Sequence, residues 1–214
     1  MGVAAKICGL STEDAVAAAV AGGAAYLGFV FYPPSPRAVT PQQAARLCAA
    51  SPAGIARVGL FVDADDQTIQ AALAAAALDI LQFHGSEPPA RVIEARLRFG
   101  RPIMKAVAIA GPEDVAGAAR YEDAADRLLF DAKPPRRPDA LPGGNGLAFD
   151  WRLIAGRAWR LPWMLSGGLT AELLPDAVRV SGAVAVDVSS GVESRPGVKD
   201  AGKIRAFLAA AHAL

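Results

Sequence analysis

Short, almost entirely apolar segments alternate with longer alanine-rich segments along the chain. Segments that are hydrophobic at nearly every position are typical of parallel strands covered by helices. We therefore predict eight buried strands, at Val3–Ile7, Tyr26–Val30, Arg57–Val62, Ile80–Phe83, Ile103–Val107, Leu128–Phe130, Trp163–Leu165 and Ala183–Val188.

Polar start signals between these strands predict helices. Ser11 precedes the acidic run Thr12-Glu13-Asp14, and Thr40 precedes Pro41, so each places a capping hydroxyl before a favourable first turn. The remaining helices are predicted to open at Asp65-Asp66, Pro88-Pro89 and Pro112, after Thr170, and near Asp200.

Eight strand–helix units fit the length of the chain. The 214 residues allow about 27 residues per unit, which is the length that a right-handed parallel crossover needs. The sequence thus predicts an α/β protein, a single-domain (β/α)8 TIM barrel over residues 1–214. An open doubly wound sheet is the alternative, but no G-x-G-x-x-G follows the first strand, which argues against dinucleotide binding.

Composition and charge exclude several classes of protein. Apolar residues make up 53% of the chain and charged residues 20%, so the chain can bury a core and is not disordered. The 22 basic and 21 acidic residues nearly balance, and we predict no nucleic-acid partner and no membrane partner. The uncharged stretch Ala15–Pro36 approaches the length of a spanning helix, but Gly22-Gly23 interrupts it and prolines end it. We also expect no secretory signal.

The two cysteines, Cys8 and Cys48, do not lie in a cluster of cysteine and histidine residues. We therefore predict no metal site and no disulfide framework, and reduced thiols fit a cytoplasmic protein. Cys8 comes directly after the first predicted strand. It is either a small buried hydrophobe or, in an electropositive and partly exposed setting, a base or nucleophile.

Two glycine- and serine-rich loops predict a phosphate site. In a (β/α)8 barrel the chemistry lies where the strands end. Gly167-Gly168 follow strand seven, and Ser189-Ser190-Gly191 follow strand eight. Glycines let the backbone approach an anion and exposed N–H groups hold it, so these adjacent loops favour phosphate over two ordinary turns.

Four side chains at other strand ends predict acid–base chemistry and substrate binding. Asp131 ends strand six, where desolvation raises the pKa of a carboxyl group and suits a general acid; a helix cap or a structural hydrogen bond is the alternative. Arg37, on a proline-stiffened loop, either grips a carboxylate or is a solvated arginine. His84 binds substrate or satisfies its loop, and Asp187 contributes to binding by orienting other groups.

Taken together, these residues resemble the phosphoribosylanthranilate isomerase family, and the matching segments follow one another in the expected order over nearly the whole chain. They are Lys6-Ile7-Cys8-Gly9, Gly28-Phe29-Val30-Phe31, Ser35-Pro36-Arg37, Val58-Gly59-Leu60-Phe61-Val62, Leu81-Gln82-Phe83-His84-Gly85, Phe130-Asp131-Ala132, Gly143-Gly144-Asn145-Gly146, Phe149-Asp150-Trp151, Ser166-Gly167-Gly168-Leu169, and Val186-Asp187-Val188-Ser189-Ser190-Gly191-Val192-Glu193.

The resemblance implies an enzyme of tryptophan biosynthesis that uses no cofactor and no metal. Such enzymes convert N-(5-phosphoribosyl)anthranilate to 1-(2-carboxyphenylamino)-1-deoxyribulose 5-phosphate by an Amadori rearrangement. The resemblance assigns the general base to Cys8, the general acid to Asp131, anthranilate binding to Arg37, and phosphate binding to Gly168 and Ser189-Ser190-Gly191. Because the acid must be protonated and the thiol ionised, we expect the site to raise the pKa of Asp131 and to lower that of Cys8.

The chain departs from the family pattern at two positions and in one loop. Asn145 stands where threonine is common and keeps turn propensity, so we expect its loop to keep its role. Ser166 stands where alanine is common, a small change. Ala132–Leu147 is predicted to be a long loop over the site. Nothing explains its proline- and arginine-rich part Lys133–Leu141, in which Arg136-Arg137 is predicted to form a solvated face.

Two other functions compete with this interpretation. A sugar-isomerase barrel acting on a histidine-pathway substrate would carry aspartates at the ends of strands one and five, where this chain has Cys8 and Val107-Ala108. A barrel that only binds a phosphorylated ligand would not need both Cys8 and Asp131. The sequence leaves open whether the chain is a monomer or a homodimer.

Overall fold

Eight parallel strands form the centre of the molecule in a computed structural model that describes residues 2–135 and 141–214. They are β1 Ala4–Cys8, β2 Tyr26–Val30, β3 Ala56–Phe61, β4 Ile80–Phe83, β5 Ile103–Ile109, β6 Arg127–Ala132, β7 Trp163–Leu165 and β8 Ala185–Val188. They pair in chain order, and β8 pairs with β1 to close the barrel. All eight predicted strands and the predicted (β/α)8 barrel are confirmed.

Side chains alternate along each strand between the barrel interior and the surrounding helices. Leu27 and Phe29 of β2 belong to the large hydrophobic cluster that joins strands and helices. Val58, Met104 and Leu129 belong to a separate cluster inside the barrel. These interior residues come early in their strands, so the polar interior side chains gather towards the carboxyl ends.

Helices follow most of the strands. They are α1 Glu13–Ala21, α2 Pro41–Ala49, α3 Asp66–Ala75, α4 Pro89–Phe99, α5 Pro112–Ala118, α6 Leu174–Ser181 and α7 Ala201–His212. The helix starts predicted at Thr40, Asp65 and Asp200 are confirmed, because each side chain accepts a hydrogen bond from the backbone N–H three residues further on and so caps its helix.

Two predicted helix starts are wrong. Thr12, not Ser11, caps α1, since the Thr12 hydroxyl accepts a hydrogen bond from the backbone N–H of Ala15 at 3.3 Å. Thr170 accepts from the N–H of Leu173 and so caps a turn that precedes α6, which begins only at Leu174.

The sixth strand–helix unit also differs from the prediction. Between β6 and β7 the described residues contain a single turn of 3₁₀ helix, Trp151–Leu153, instead of an α-helix. The eighth unit carries an unpredicted addition, a short hairpin of β9 Glu193–Arg195 and β10 Val198–Lys199 before α7. This hairpin places Glu193 and Lys199 at the carboxyl end of the barrel.

The uncharged stretch at 15–36 divides into the end of α1, a turn and β2, as predicted. Within the described ranges, none of the helices combines the length and the apolar character needed to cross a membrane. Arg136-Arg137, predicted as a solvated face, lies outside the described residues, as do residues 138–140 of the segment Lys133–Leu141.

Candidate active site

A pocket opens at the carboxyl ends of the strands. The described part of the predicted long loop, residues 141–147, lines one side of it. Every residue predicted for the site lines the pocket, namely Cys8, Arg37, His84, Asp131, Gly167, Gly168, Asp187, Ser189, Ser190 and Gly191. The barrel therefore gathers residues that are distributed over nearly the whole chain.

Strand β5 contributes no polar side chain to this pocket among the residues that the structure describes. Its buried Lys105 points away from the barrel interior and forms an ion pair with Glu87 at 2.9 Å. The arrangement of two aspartates expected for the histidine-pathway alternative is therefore not present at strands β1 and β5.

Cys8 ends β1 with its side chain inside the barrel and only 4% of its surface exposed. It pairs in register with Gly28 of β2. A Cβ atom at Gly28 would lie 3.0 Å from the Cys8 sulfur and 3.1 Å from the Lys6 ammonium nitrogen. Glycine at this position therefore gives the thiol and the ammonium group room to lie side by side.

Lys6 is a site residue that the sequence interpretation missed. It is fully buried, and its ammonium group donates a hydrogen bond to Asp187 Oδ1 at 2.9 Å. The Ser166 hydroxyl donates to Asp187 Oδ2 at 3.1 Å. Asp187 thus accepts a hydrogen bond from each of two neighbouring side chains. A lysine two residues before Cys8 in an otherwise apolar strand shares its face, and this spacing was the available signal.

The pKa of the Cys8 thiol lies above its ordinary value, opposite to the expectation. Burial raises it, and the nearby Lys6 ammonium lowers it by less. Burial also disfavours the charged form of Lys6, but Asp187 and Cys8 together outweigh this and raise the pKa of Lys6, which stays protonated. The site therefore holds a thiol beside a fixed positive charge.

Asp131 is buried at the end of β6. Its Oδ1 accepts a hydrogen bond from the backbone N–H of Ala132 at 2.9 Å, and its Oδ2 lies 3.1 Å from His84 Nε2. His84 Nδ1 in turn lies 2.9 Å from Gln82 Nε2. His84 therefore contacts the candidate acid and does not simply satisfy its own loop.

Arg37 is only 5% exposed, so the alternative of a solvated loop arginine is wrong. Its Nε and Nη2 donate to the two carboxylate oxygens of Glu193 at 2.7 and 2.9 Å, and Nη2 also donates to the Gly144 carbonyl oxygen at 3.2 Å. These bonds occupy the edge of the guanidinium group formed by Nε and Nη2. They leave Nη1 without a hydrogen bond to the described residues.

Glu193 and Lys199, both on the unpredicted hairpin, hold this arginine. Lys199 donates to Glu193 Oε1 at 2.8 Å and to the Ser189 carbonyl and hydroxyl oxygens at 2.9 and 3.2 Å. Burial raises the pKa of Glu193, but the hydrogen bonds from Arg37 and Lys199 outweigh it and the pKa is lowered. Glu193 is therefore charged, and it fixes Arg37 while Lys199 stands beside the eighth loop.

The loops after β7 and β8 both line the pocket. Gly167 and Gly168 have φ angles of 91° and 63°, in the left-handed region that favours glycine. A Cβ at Gly168 would lie 2.8 Å from the backbone nitrogen of Ala148, so the sixth loop packs directly on the seventh. Within the sixth loop, Asn145 donates to the Leu141 carbonyl oxygen at 2.8 Å and so holds the loop together.

The described residues contain no group of three His, Cys, Asp or Glu side chains able to hold a metal ion. The polar groups of the pocket are instead a thiol with an ammonium group, a carboxyl with an imidazole, a fixed guanidinium, and backbone N–H groups. This set suits proton transfer on an anionic substrate.

Comparison with known proteins gives a consistent result. Residues 5–210 match the family model described as N-(5'phosphoribosyl)anthranilate (PRA) isomerase. A Rhodospirillum centenum protein named N-(5'-phosphoribosyl)anthranilate isomerase is 57% identical over 214 residues, which cover 100% of both chains. The crystal structure of phosphoribosyl anthranilate isomerase from Thermotoga maritima is similar with a TM-score of 0.88 and 35% identity over 99% of this chain and 100% of that one.

A further similar structure contains a ligand. It is a phosphoribosyl anthranilate isomerase in complex with reduced 1-(o-carboxyphenylamino)-1-deoxyribulose 5-phosphate. It has a TM-score of 0.85 and 33% identity, over 99% of this chain and 100% of that one.

Proposed function

The chain belongs to the N-(5'-phosphoribosyl)anthranilate isomerase family, and from that premise we propose that Asp131 and Cys8 perform its acid–base chemistry. It is an aldose–ketose isomerase of tryptophan biosynthesis, and it converts N-(5'-phosphoribosyl)anthranilate to 1-(2-carboxyphenylamino)-1-deoxyribulose 5-phosphate. The observation that carries the residue roles is the position of Cys8 and Asp131 in one pocket with a cradle for phosphate.

Asp131 supplies the first proton. Protonation of the furanose ring oxygen lets the C1–O bond break, and the nitrogen lone pair forms a C1=N⁺ Schiff base. Asp131 lies in the pocket wall with its Oδ2 beside His84 Nε2, so it has a neighbour that can share a proton. After the transfer Asp131 is a carboxylate and the substrate carries a new hydroxyl group.

Cys8 removes the second proton. The thiolate takes the hydrogen from C2, and the C–H electron pair forms the C1–C2 double bond of an enolamine while the nitrogen is neutralised. The enolamine then gains a proton at C1 and loses its enol proton to become the ketone. C1 is reduced and C2 is oxidised within one molecule, so the electrons balance without a further reagent.

The Lys6 ammonium stabilises the thiolate during this step. It is held by Asp187 and has one oxygen acceptor among the described side chains, so its other N–H groups face the space that it shares with Cys8. Because the site is desolvated, a positive charge there has a large effect on the ionised thiol.

The two ends of the substrate fix its position. The Gly167-Gly168 and Ser189-Ser190-Gly191 loops offer backbone N–H groups to the phosphate, with Lys199 behind the second loop. The anthranilate carboxylate faces the unoccupied Nη1 of Arg37, whose other nitrogens are fixed by Glu193. A positioned arginine gives orientation without further ordering on binding.

Two substitutions test these roles. Cys8→Ala and Asp131→Asn should each lower kcat by at least about 10²-fold, the scale of a lost general base or acid, while KM changes little. The readout is the loss of anthranilate-ribotide fluorescence. Cys48→Ala removes the other buried thiol, outside the pocket, and serves as the matched control with unchanged turnover. Near wild-type turnover in both test variants would contradict the mechanism.

We also propose one domain over residues 1–214 and a cytoplasmic monomer or homodimer. Closure of the barrel by strands from the two ends of the chain supports the single domain. Among the similar structures, one concerns monomers generated from a dimeric Thermotoga maritima enzyme. Sedimentation equilibrium at micromolar protein concentration distinguishes the two assembly states.

A further inference from the structure

A chain of three side chains leads from the barrel interior to the candidate acid. Gln82 is completely buried, and its Nε2 lies 2.9 Å from Nδ1 of His84. The opposite nitrogen of the same ring, Nε2, lies 3.1 Å from Asp131 Oδ2. The mechanism above uses Asp131 but assigns no task to Gln82.

The strand geometry explains why these groups meet. Gln82 and His84 are two residues apart, so they point to the same side of β4. Strand β5 lies between β4 and β6 and presents Ala106 to the interior, and this small side chain leaves room for the imidazole to reach Asp131.

Among the residues that the structure describes, the amide of Gln82 forms a single hydrogen bond, between its Nε2 and His84 Nδ1. Its Oε1 is buried and has no hydrogen-bond partner among the described residues. A buried polar atom without a partner is uncommon and costs free energy. Because Oε1 makes no bond, a half-turn of the amide loses no second interaction, and it brings Oε1 to His84 Nδ1 in place of the NH₂ group.

The two amide orientations demand different protons on His84. When the Gln82 NH₂ group faces Nδ1, that nitrogen must be an acceptor, so the single proton of the ring sits on Nε2 and points at an Asp131 carboxylate. When Oε1 faces Nδ1, that nitrogen carries a proton. A second proton is then shared between His84 Nε2 and Asp131 Oδ2, as either imidazolium with carboxylate or imidazole with carboxylic acid.

We propose that Gln82 is a positioning residue whose amide orientation decides whether the His84–Asp131 pair holds the proton that ring opening consumes. The inference rests on the proposed role of Asp131 as the acid. With the Gln82 NH₂ group facing His84 Nδ1, the pair does not hold that proton. Rotation of the amide lets the His84–Asp131 pair take up one proton from solvent. Transfer of that proton to the ring oxygen of the substrate leaves Asp131 as a carboxylate.

The tautomer of His84 can be measured directly by ¹⁵N NMR. The chain has two histidines, and His212 is exposed at the end of α7, so His212→Asn leaves a single imidazole signal. In ¹⁵N-histidine-labelled protein at alkaline pH, we expect the Nε2–H pattern. Gln82→Glu replaces the amide with a carboxylate that only accepts, and it should switch the ring to a protonated Nδ1.

Turnover distinguishes positioning from filling of space. Gln82→Met keeps the volume but cannot accept from Nδ1, so kcat should fall about tenfold, the scale of one lost hydrogen bond, with KM little changed. Gln82→Glu accepts from Nδ1 and should keep more of the wild-type kcat than Gln82→Met. A residue that only fills space would give the reverse order, because methionine packs there and a buried carboxylate does not.

Two outcomes overturn the inference: an unchanged Nε2–H pattern in Gln82→Glu, or wild-type kcat in Gln82→Met. If Gln82→Glu does not fold, an Nδ1–H pattern in the free wild-type protein overturns it equally. Failure of the proposed function looks different, since Asp131→Asn would then keep its turnover while the tautomer of His84 still responded to Gln82→Glu.

Discussion

At the scale of single residues, the unusual group is a buried thiol that must lose its proton. Burial raises the pKa of Cys8; Lys6 and Lys199 lower it and Asp187 raises it further, and the net shift is upward. A thiol with a raised pKa is protonated at neutral pH, and its thiolate fraction grows as the pH rises through and beyond the ordinary value of about 8.5.

The direction of the pKa shift of Cys8 can be measured without an activity assay. In Cys48→Ala, ultraviolet absorbance of the thiolate, taken as the difference from Cys8→Ala/Cys48→Ala, should be half-developed only above about pH 8.5. The double variant cancels the tyrosines. Lys6→Met should move the midpoint higher still, because Lys6 favours the ionised form. A midpoint below about 8.5 in Cys48→Ala would contradict the effect of burial.

Which site residues could be predicted depended on where their partners lie. Cys8 and Asp131 follow from the rule that barrel chemistry sits at strand ends. Lys6 and Arg37 act through ion pairs with residues 181 and 156 positions away, Asp187 and Glu193. No local pattern reports such a contact, so only the fold shows that Arg37 is buried and paired with Glu193.

At the scale of elements, the strands were predictable and the connections less so. Buried strands carry continuous apolar runs, which the sequence displays directly. The start of α6 was misplaced because Thr170 does form a capping bond, but to a turn that comes before the helix. Pro175, in the first turn of α6, was the better signal. The 3₁₀ turn Trp151–Leu153 is too short to have a periodic pattern.

The seventh and eighth loops pack closely because Gly191, at their junction, has no side chain. A Cβ at Gly191 would overlap the Leu169 carbonyl oxygen. Gly191→Ala should therefore separate the two loops and raise KM about tenfold or more, with a smaller effect on kcat, because phosphate contacts are charge-assisted hydrogen bonds. The measurement is steady-state kinetics with anthranilate ribotide. Competitive inhibition by inorganic phosphate should weaken in parallel with the rise in KM.

Gly117→Ala is the matched control for this substitution. Gly117 lies in α5, and a Cβ there meets nothing within 4 Å. Alanine should leave KM unchanged and stabilise the helix by up to about 1 kcal/mol. An unchanged KM in Gly191→Ala as well would show that the contact between the loops does not shape the phosphate site.

At the scale of the whole molecule, the ion pair of Lys6 and Asp187 lies where the barrel closes. Strands β1 and β8 come from opposite ends of the chain and pair over four residues, one of which is Lys6 opposite Asp187. The side chains are 0% and 4% exposed. Such a pair is costly to break, because the remaining charge has neither water nor a partner.

Asp187→Asn should therefore lower the free energy of unfolding by about 3–5 kcal/mol, measured by urea denaturation with circular dichroism. The double variant Lys6→Met/Asp187→Leu removes both charges and should recover most of that loss, although it remains inactive if Lys6 stabilises the thiolate. Asp176→Asn breaks the exposed pair with Arg179, whose side chains are 70% and 71% exposed, and should change stability by less than about 0.5 kcal/mol. If the double variant is no more stable than Asp187→Asn, the loss in Asp187→Asn does not come from the unpaired Lys6 charge alone. The ion pair would then also stabilise the barrel by aligning strands β1 and β8.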